Sequence, residues 1–489
     1  MKKTMKFLSM AALALMGAVM AGCSSDDNII DEPQRPTGKS NIVTLTTTIS
    51  LDGGAATTRA LTSGGVKTFA AGETMALLYN NGSYTVKAES HPLEAANITN
   101  EGKSATFTFD LEETPNKSES VTYVYPAAMV DDYGDYNYNL LNSQDGTLET
   151  LASNLDLATY SGAWNGENLP ANVTLDNQLA ILAVTLKDDA ATPADITSSI
   201  TGMTVSDGTY DYTVSRTAAA GPIYVAIWPT SSANIEVTAT DGTNMYIKLL
   251  TDKTYAESNG YNLSWRMTNM INVPLTLVAK YDYSEITVSN PQSGMQYTVN
   301  GGEKQPVTSS AISVNKGDRV AFYGNGTSIT TYGGYIGTKF SCDYDYKVYG
   351  NIMSLVDETG FATATSLEEN AFYGLFKSST YLTDASSLLL PATTLARSCY
   401  QEMFYKCISL TKAPVLSAKT LAEYCYYNMF YRCSSLRSVT CLATDISAYG
   451  CTNYWLSGVD SEGTFTKAAG VDWSEGDSGI PSGWTVKEK

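Results

Sequence analysis

The chain has 489 residues and 31 Lys+Arg against 50 Asp+Glu, a formal charge of −19, with 43% hydrophobic residues. At roughly 100 to 200 residues per domain this predicts about three folded domains, and an apolar share near the globular average excludes bulk disorder. A negative surface without a basic block excludes nucleic acid as a partner. The single histidine, His91 beside Pro92 in a polar stretch, leaves imidazole zinc sites and Ser/His or Cys/His nucleophile systems without their base and is expected in solvent. With no CxxC spacing either, no cofactor or metal is expected. Tyr outnumbers Phe 33 to 12, which suits half-exposed strands and contact surfaces.

Lys2, Lys3 and Lys6 precede an apolar run from Phe7 to Met20 that closes on Ala21-Gly22-Cys23. Residues 1–22 therefore read as a signal peptide, not a membrane span. The small residues before a cysteine resemble the bacterial lipobox, which implies that Cys23 is acylated and becomes the first mature residue. The alternative is an ordinary secretory signal with an incidental cysteine. Ser24-Ser25-Asp26-Asp27 resembles the acidic export tag of Bacteroidia lipoproteins, which implies the outer face of the outer membrane. Residues 23–40, with Asp31, Glu32, Pro33 and Pro36, read as a flexible tether.

From residue 41 the dominant period is two. Val43, Leu45, Ile49 and Leu51 alternate with Thr44, Thr46, Thr48 and Ser50, and Ala105, Phe107, Phe109 and Leu111 repeat the rhythm. Asn81-Gly82 and Asp241-Gly242 predict hairpins joining Met75–Tyr79 to Ser83–Val86 and Ile235–Thr240 to Asn244–Leu250. Val173 to Lys187 reads as one long central strand, and Ile223 to Trp228 as another. Many short strands separated by turns predict β-sandwiches.

Five segments then resemble the fimbrillins of Bacteroidia, the pilins of type V pili: Phe69–Tyr79, Val124–Pro126, Gln144–Leu148 with Asp156–Ala158, Val173–Leu182 and Ile223–Pro229. The resemblance covers residues 41 to 270 and implies tandem sandwiches, 41–190 and 191–270. It also implies an assembly route. The precursor loses its first strand, here Ile42 to Leu51, by cleavage between Arg59 and Ala60, and the opened groove accepts a strand from another pilin subunit. An uncut chain would keep its lipid.

Residues 271–365 keep a β pattern, with Val299-Asn-Gly-Gly302 as a hairpin and Val314 to Tyr323 as a strand, and read as a small third sandwich. Tyr344, Tyr346 and Tyr349, interleaved with Asp343 and Asp345, form either a sugar-binding edge or tyrosines along a surface strand. Downstream, Leu395–Leu410 aligns with Leu421–Leu436 at a period of 26, and a fainter copy around Leu375-Phe376 lies 28 residues upstream. Leu395, Cys399, Met403 and Cys407 fall at i, i+4, i+8 and i+12, which predicts one helical face per repeat. A helix and a short strand per unit is the mechanics of a leucine-rich solenoid. The pattern resembles the BspA-like repeats of bacterial surface proteins over 366–446, with 447–489, carrying Trp455, Trp473 and Trp484, as a cap. The fold class is thus mostly β with a C-terminal α/β solenoid spanning 366–489.

After Cys23, seven cysteines remain, an odd number. On a helix, Cys399 and Cys407 would lie about 12 Å apart, too far for a disulfide. They and Cys425 and Cys433 are expected as buried thiols, whereas Cys441 and Cys451 are the pair able to close a loop. Asp131, Asp132, Asp135, Asp357 and Glu358 are the carboxylates open to a glycosidase-type mechanism, but clustered carboxylates at turns are more commonly solvated, and no enzyme is expected. The leading reading is a lipid-anchored or pilus-tip adhesin at the cell surface. It would present the repeats, including Tyr405 and Tyr431, to a host or bacterial surface protein or glycan. A surface glycan-binding lipoprotein without a pilus is the alternative.

Overall fold

A computed structural model describes residues 42–50, 68–116, 119–324 and 337–489. Cys23, Arg59 and Ala60 lie outside the described residues. Among the described residues, no helix is long and apolar enough to cross a membrane.

The first sandwich pairs a four-stranded with a five-stranded sheet. In the smaller one Val43–Ser50 lies antiparallel to Ser104–Leu111 over eight residue pairs, Val43 facing Leu111 through Ser50 facing Ser104. The other holds the first expected hairpin, Ala76–Asn80 with Thr85–Glu89. Alternation explains the layering: Phe107, Phe109 and Leu111 point into the core while Thr106 and Thr108 between them do not. His91 is half-exposed, its Nε2 2.9 Å from Asp110 Oδ2.

The second sandwich begins earlier than expected. Val173 to Lys187 is not one strand: Val173–Thr174 and Asp176–Asn177 join the two sheets of the first sandwich, and Ala180–Lys187 is the middle strand of the second. It pairs antiparallel with Ile223–Ile227 and parallel with Gly260–Arg266. An apolar run alone does not say which core it serves, so the boundary falls near residue 178 rather than 190. The Asp241-Gly242 hairpin forms as expected, between Thr230–Thr240 and Met245–Tyr255.

The third sandwich and the repeats are one body with one core, running from Leu275 to Trp484. The Leu382–Leu389 strand adds in parallel to Tyr346–Asn351 at the edge of a six-stranded sheet, so no boundary exists at residue 365. Beyond it the chain winds into coils whose turns stack at 370–378, 398–406, 424–432 and 450–458. These carry no α-helix, which corrects the expected α/β solenoid. Alternate N–H groups close local turns, as in Met403 N to Tyr400 O at 3.2 Å. The others donate to the next coil: Ser398 to Glu423, Tyr400 to Cys425, Glu402 to Tyr427, Phe404 to Met429 and Lys406 to Tyr431, all 2.8–3.1 Å. Every fourth residue sits at positive φ, as at Ser398, Glu402 and Lys406 and again at Tyr424, Asn428 and Arg432. A four-residue turn places i and i+4 on one side as a helix does, so Cys399, Met403 and Cys407 are all buried. A helix would keep every N–H within itself; this arrangement gives half of them to the neighbour. The fourth coil, with buried Trp455, lies inside what the sequence suggests is only a cap.

Rings stack through the coils: Phe376 on Phe404 at 5.5 Å, Phe404 on Phe430 at 5.4 Å, and Tyr400 on Tyr426 at 6.1 Å. Parallel strands Ser438–Cys441, Thr464–Lys467 and Thr485–Glu488 close the far end. Phe404 is fully buried in the middle of its stack. Replacing it by alanine removes contacts in two directions and is expected to destabilise this body by about 3–5 kcal/mol, read as a lower urea midpoint in unfolding followed by tryptophan fluorescence.

Candidate functional site

Two regions answer to the expected functions, the first strand and the outer face of the coils. Val43–Ser50 starts exposed and ends buried, with Thr47 and Ile49 closed off from solvent. Ile49 meets the core beside Ala105 and Phe107, and Thr47 Oγ1 donates to Pro170 O at 2.6 Å. The outward row is polar on both strands: Thr44 bonds to Asp110 at 2.7 Å, Thr48 to Thr106 at 3.0 Å and Ser50 to Ser104 at 2.8 Å. On its other edge the strand has a partner only near its end, where Ile49 and Ser50 pair in parallel with Val173 and Thr174. Among the described residues, Val43 to Thr46 pair on one side only. Withdrawing this strand would leave unpaired those N–H and C=O groups of Ser104–Leu111 that face it, and open the core around Phe107 and Phe109.

On the coils, Tyr405 and Tyr431 stack at 5.1 Å with their planes 13° apart. Lys377 and Lys406 lie over the Tyr405 ring at 4.9 and 5.3 Å, and Arg432 lies over Tyr431 at 5.3 Å. Beside this ladder Arg397 lies over Tyr424, which packs edge-on against Tyr449. The 26-residue register had aligned Lys406 with Arg432, and that was the available signal for the cations. Lys406 and Arg432 sit over the ring of the residue just before them, whereas Lys377 and Arg397 reach rings one coil on.

Tyr344, Tyr346 and Tyr349 do not form an edge together. Tyr344 is half-exposed and meets Tyr281 at 6.0 Å. Tyr346 is fully buried, its hydroxyl 2.7 Å from Ser379 Oγ, and joins the sandwich to the first coil. Tyr349 is buried with Ile247, Met270 and Val278 in the seam between the second sandwich and the third body. Both readings of these residues as surface tyrosines are thus corrected for two of the three, because their strand is covered on both faces.

The same seam holds Glu236, which accepts from Lys347 Nζ at 2.6 Å and Arg319 at 3.4 Å. A polar cleft of about 90 Å³ lies here among Ser206, Asp211, Lys347, Asp384 and Lys412. Two of its three acids are neutralised in place, Glu236 as above and Asp384 by Lys412 at 3.7 Å, which suits a joint better than a ligand pocket. The acidic turns have local duties too. Asp131 Oδ1 accepts from the N–H groups of Tyr133 and Asp135, Asp357 Oδ1 from those of Thr359 and Gly360, and Glu358 pairs with Lys304.

All seven described cysteines are buried free thiols. The candidate pair Cys441 and Cys451 is therefore not joined, and Cys451 Sγ turns to Ile446 O at 3.3 Å. Burial pushes Cys399 and Cys441 up to about 12 and raises Cys407, Cys425 and Cys433 as well.

No protein-family profile matches the chain, and no curated protein does. Among solved structures it is similar to a fimbrial assembly protein from Parabacteroides distasonis, at 9% identity and a TM-score of 0.26 over 46% of this chain and 90% of that one. It is also similar to a candidate cell adhesion protein from Bacteroides uniformis, at 13% and 0.26 over 48% and 98%. A fimbrial protein from Bacteroides ovatus matches at 12% and 0.24 over 49% and 52%.

Since the thiolate is the reactive form, the folded protein is expected to leave these cysteines unlabelled by Ellman's reagent at pH 8. Unfolding without reductant should release all seven described thiols. A count two short would show one disulfide, with Cys441 and Cys451 the first pair to check by peptide mapping.

Proposed function

We propose that this chain is a non-catalytic cell-surface adhesin of the fimbrillin kind, lipidated at Cys23 and incorporated at the end of a fibre after cleavage between Arg59 and Ala60. The observation that carries the reading is the Val43–Ser50 strand. It is the amino-terminal strand of the described fold, it is bound through an eight-pair ladder and the inward residues Thr47 and Ile49, and it precedes Arg59. A strand so placed is removed by a single cut downstream of it. Each buried backbone group left unpaired costs about 1–3 kcal/mol, so a strand from another pilin subunit has a strong drive to refill the groove.

The opposite end supports a terminal position. Thr485–Glu488 is held in parallel against Thr464–Lys467 as part of the closing sheet, and Lys489 N donates to Lys467 O at 2.9 Å. That segment is engaged and does not serve as a donor strand. With Thr485–Glu488 so engaged, the subunit's part is to accept a strand, and the coils, read as a BspA-like leucine-rich repeat platform, face a host or bacterial partner. The turn-capping roles of Asp131 and Asp357 favour adhesion over carboxylate chemistry.

Amino-terminal sequencing of protein recovered from cell surfaces tests this. Assembly gives a start at Ala60 with another pilin co-purifying. Recovery of only lipidated monomer, with residues 24–59 intact, would overturn the pilus role and leave a surface-anchored binding protein.

A further inference from the structure

On the coils, two cations at one repeat position, Lys406 and Arg432, are neutralised by no described carboxylate. Around them, charges are matched: Lys377 pairs with Glu402, Arg397 with Glu423 at 3.5 Å, Lys412 with Asp384 at 3.7 Å and Arg437 with Asp460 at 2.9 Å. Lys406 and Arg432 form no ion pair with any described residue. Other cations, Lys248 and Lys253 among them, also lack an ion pair among the described residues; what distinguishes Lys406 and Arg432 is that they recur at one repeat position, each over a ring.

Their geometry is held firmly. Lys406 N donates to Tyr431 O and Arg432 N to Ser457 O, both at 2.8 Å, and the two residues share φ values of 60° and 58°. Both side chains therefore leave the backbone in the same way, one coil apart. Each head group lies 5.3 Å from the face of the preceding tyrosine, where the ring quadrupole attracts it without using its N–H donors. The hydroxyls of Tyr405 and Tyr431 bond to no other described residue. The result is a row of rungs at the 5.1 Å ring spacing, each with one cation and one hydroxyl.

We propose that this ladder binds an acidic polysaccharide, with sulfate or carboxylate groups on Lys406 and Arg432 and sugar hydroxyls against Tyr405 and Tyr431. Spacing and charge select the class. An extended acidic peptide presents same-face side chains about 6.6 Å apart and falls out of step. A nucleic acid strand carries a phosphate roughly every 3.4 Å and meets the repulsion of the whole chain. Acidic groups on a glycan hang from a chain with free torsions at each linkage and can adjust to two neighbouring cations, and the planar guanidinium of Arg432 suits the forked oxygens of sulfate and carboxylate alike. The inference does not depend on strand replacement at the other end of the molecule.

The test is binding of the purified full chain to immobilised heparin, polygalacturonate and neutral dextran at low and high salt. The expected result is binding to heparin, polygalacturonate or both but not to dextran, weakened by salt. Joint K406E and R432E substitution should reduce affinity about tenfold or more, while the same charge change at Lys248 and Lys253 of the second sandwich does not. Tyr405→Phe with Tyr431→Phe keeps the stack, removes the hydroxyls and should give a smaller loss with an unchanged melting temperature. The comparison of heparin with polygalacturonate assigns the anion as sulfate or carboxylate. Absence of binding to both acidic glycans, equal loss in the Lys248/Lys253 control, or equally tight binding of polyglutamate would overturn the proposal. So would self-association that the K406E/R432E change abolishes, since the ladder would then be an interface between copies.

Discussion

The coils depend on hydrogen bonds that no coil makes alone. About half of the N–H groups in each of the first three turn segments are donated to the next coil, as from Phe404 to Met429 and from Phe430 to Trp455. The repeated positive φ angles carry a backbone cost at non-glycine residues such as Glu402, Lys406 and Arg432. The inter-coil bonds and the buried rings offset that cost only when a neighbour is present on both sides. Each end must therefore be closed. At one end the third sandwich serves: Phe340 N bonds to Leu375 O, Phe340 packs against Phe376, and Leu382–Leu389 continues the sheet from Tyr346–Asn351. At the other, Trp455 stacks on Trp473 and three parallel strands finish the column.

This makes the third sandwich a cap as well as a spacer. Tyr346 and Tyr349 take the two sides of that arrangement, one bonded to Ser379 in the first coil and the other buried against Ile247 and Met270 of the second sandwich. Glu236, held by Lys347 and Arg319, adds a charged clasp beside Tyr349. The coils are thus joined to the third sandwich through one continuous core, and that body to the second sandwich through a small apolar cluster and one ion cluster.

Much of the β architecture was legible because its signals are local. Asn81-Gly82 and Asp241-Gly242 marked hairpins that form, and alternation marked which residues of Ser104–Leu111 face inward. Val173 to Lys187 was misread because a continuous apolar run carries no information about which of two adjacent cores it enters. The helix expected through Cys399, Met403 and Cys407 failed for a related reason: a spacing of four is common to an α-helix and to stacked four-residue turns. The candidate tyrosines divided likewise, with Tyr405 and Tyr431 on the face and Tyr346 and Tyr349 inside.

The residues by themselves determined the order of the parts, the repeat length and the inward set of each coil, because apolar spacing is written along the chain and holds under either backbone path. Tertiary structure decided the path itself, the merging of sandwich and repeats, and the stacking of ring on ring. Each of those depends on a partner 26 or more residues away, such as Tyr431 for Tyr405 or Leu382 for Tyr346. Hydrogen bonds donated to a neighbouring coil leave no local mark on the segment that donates them.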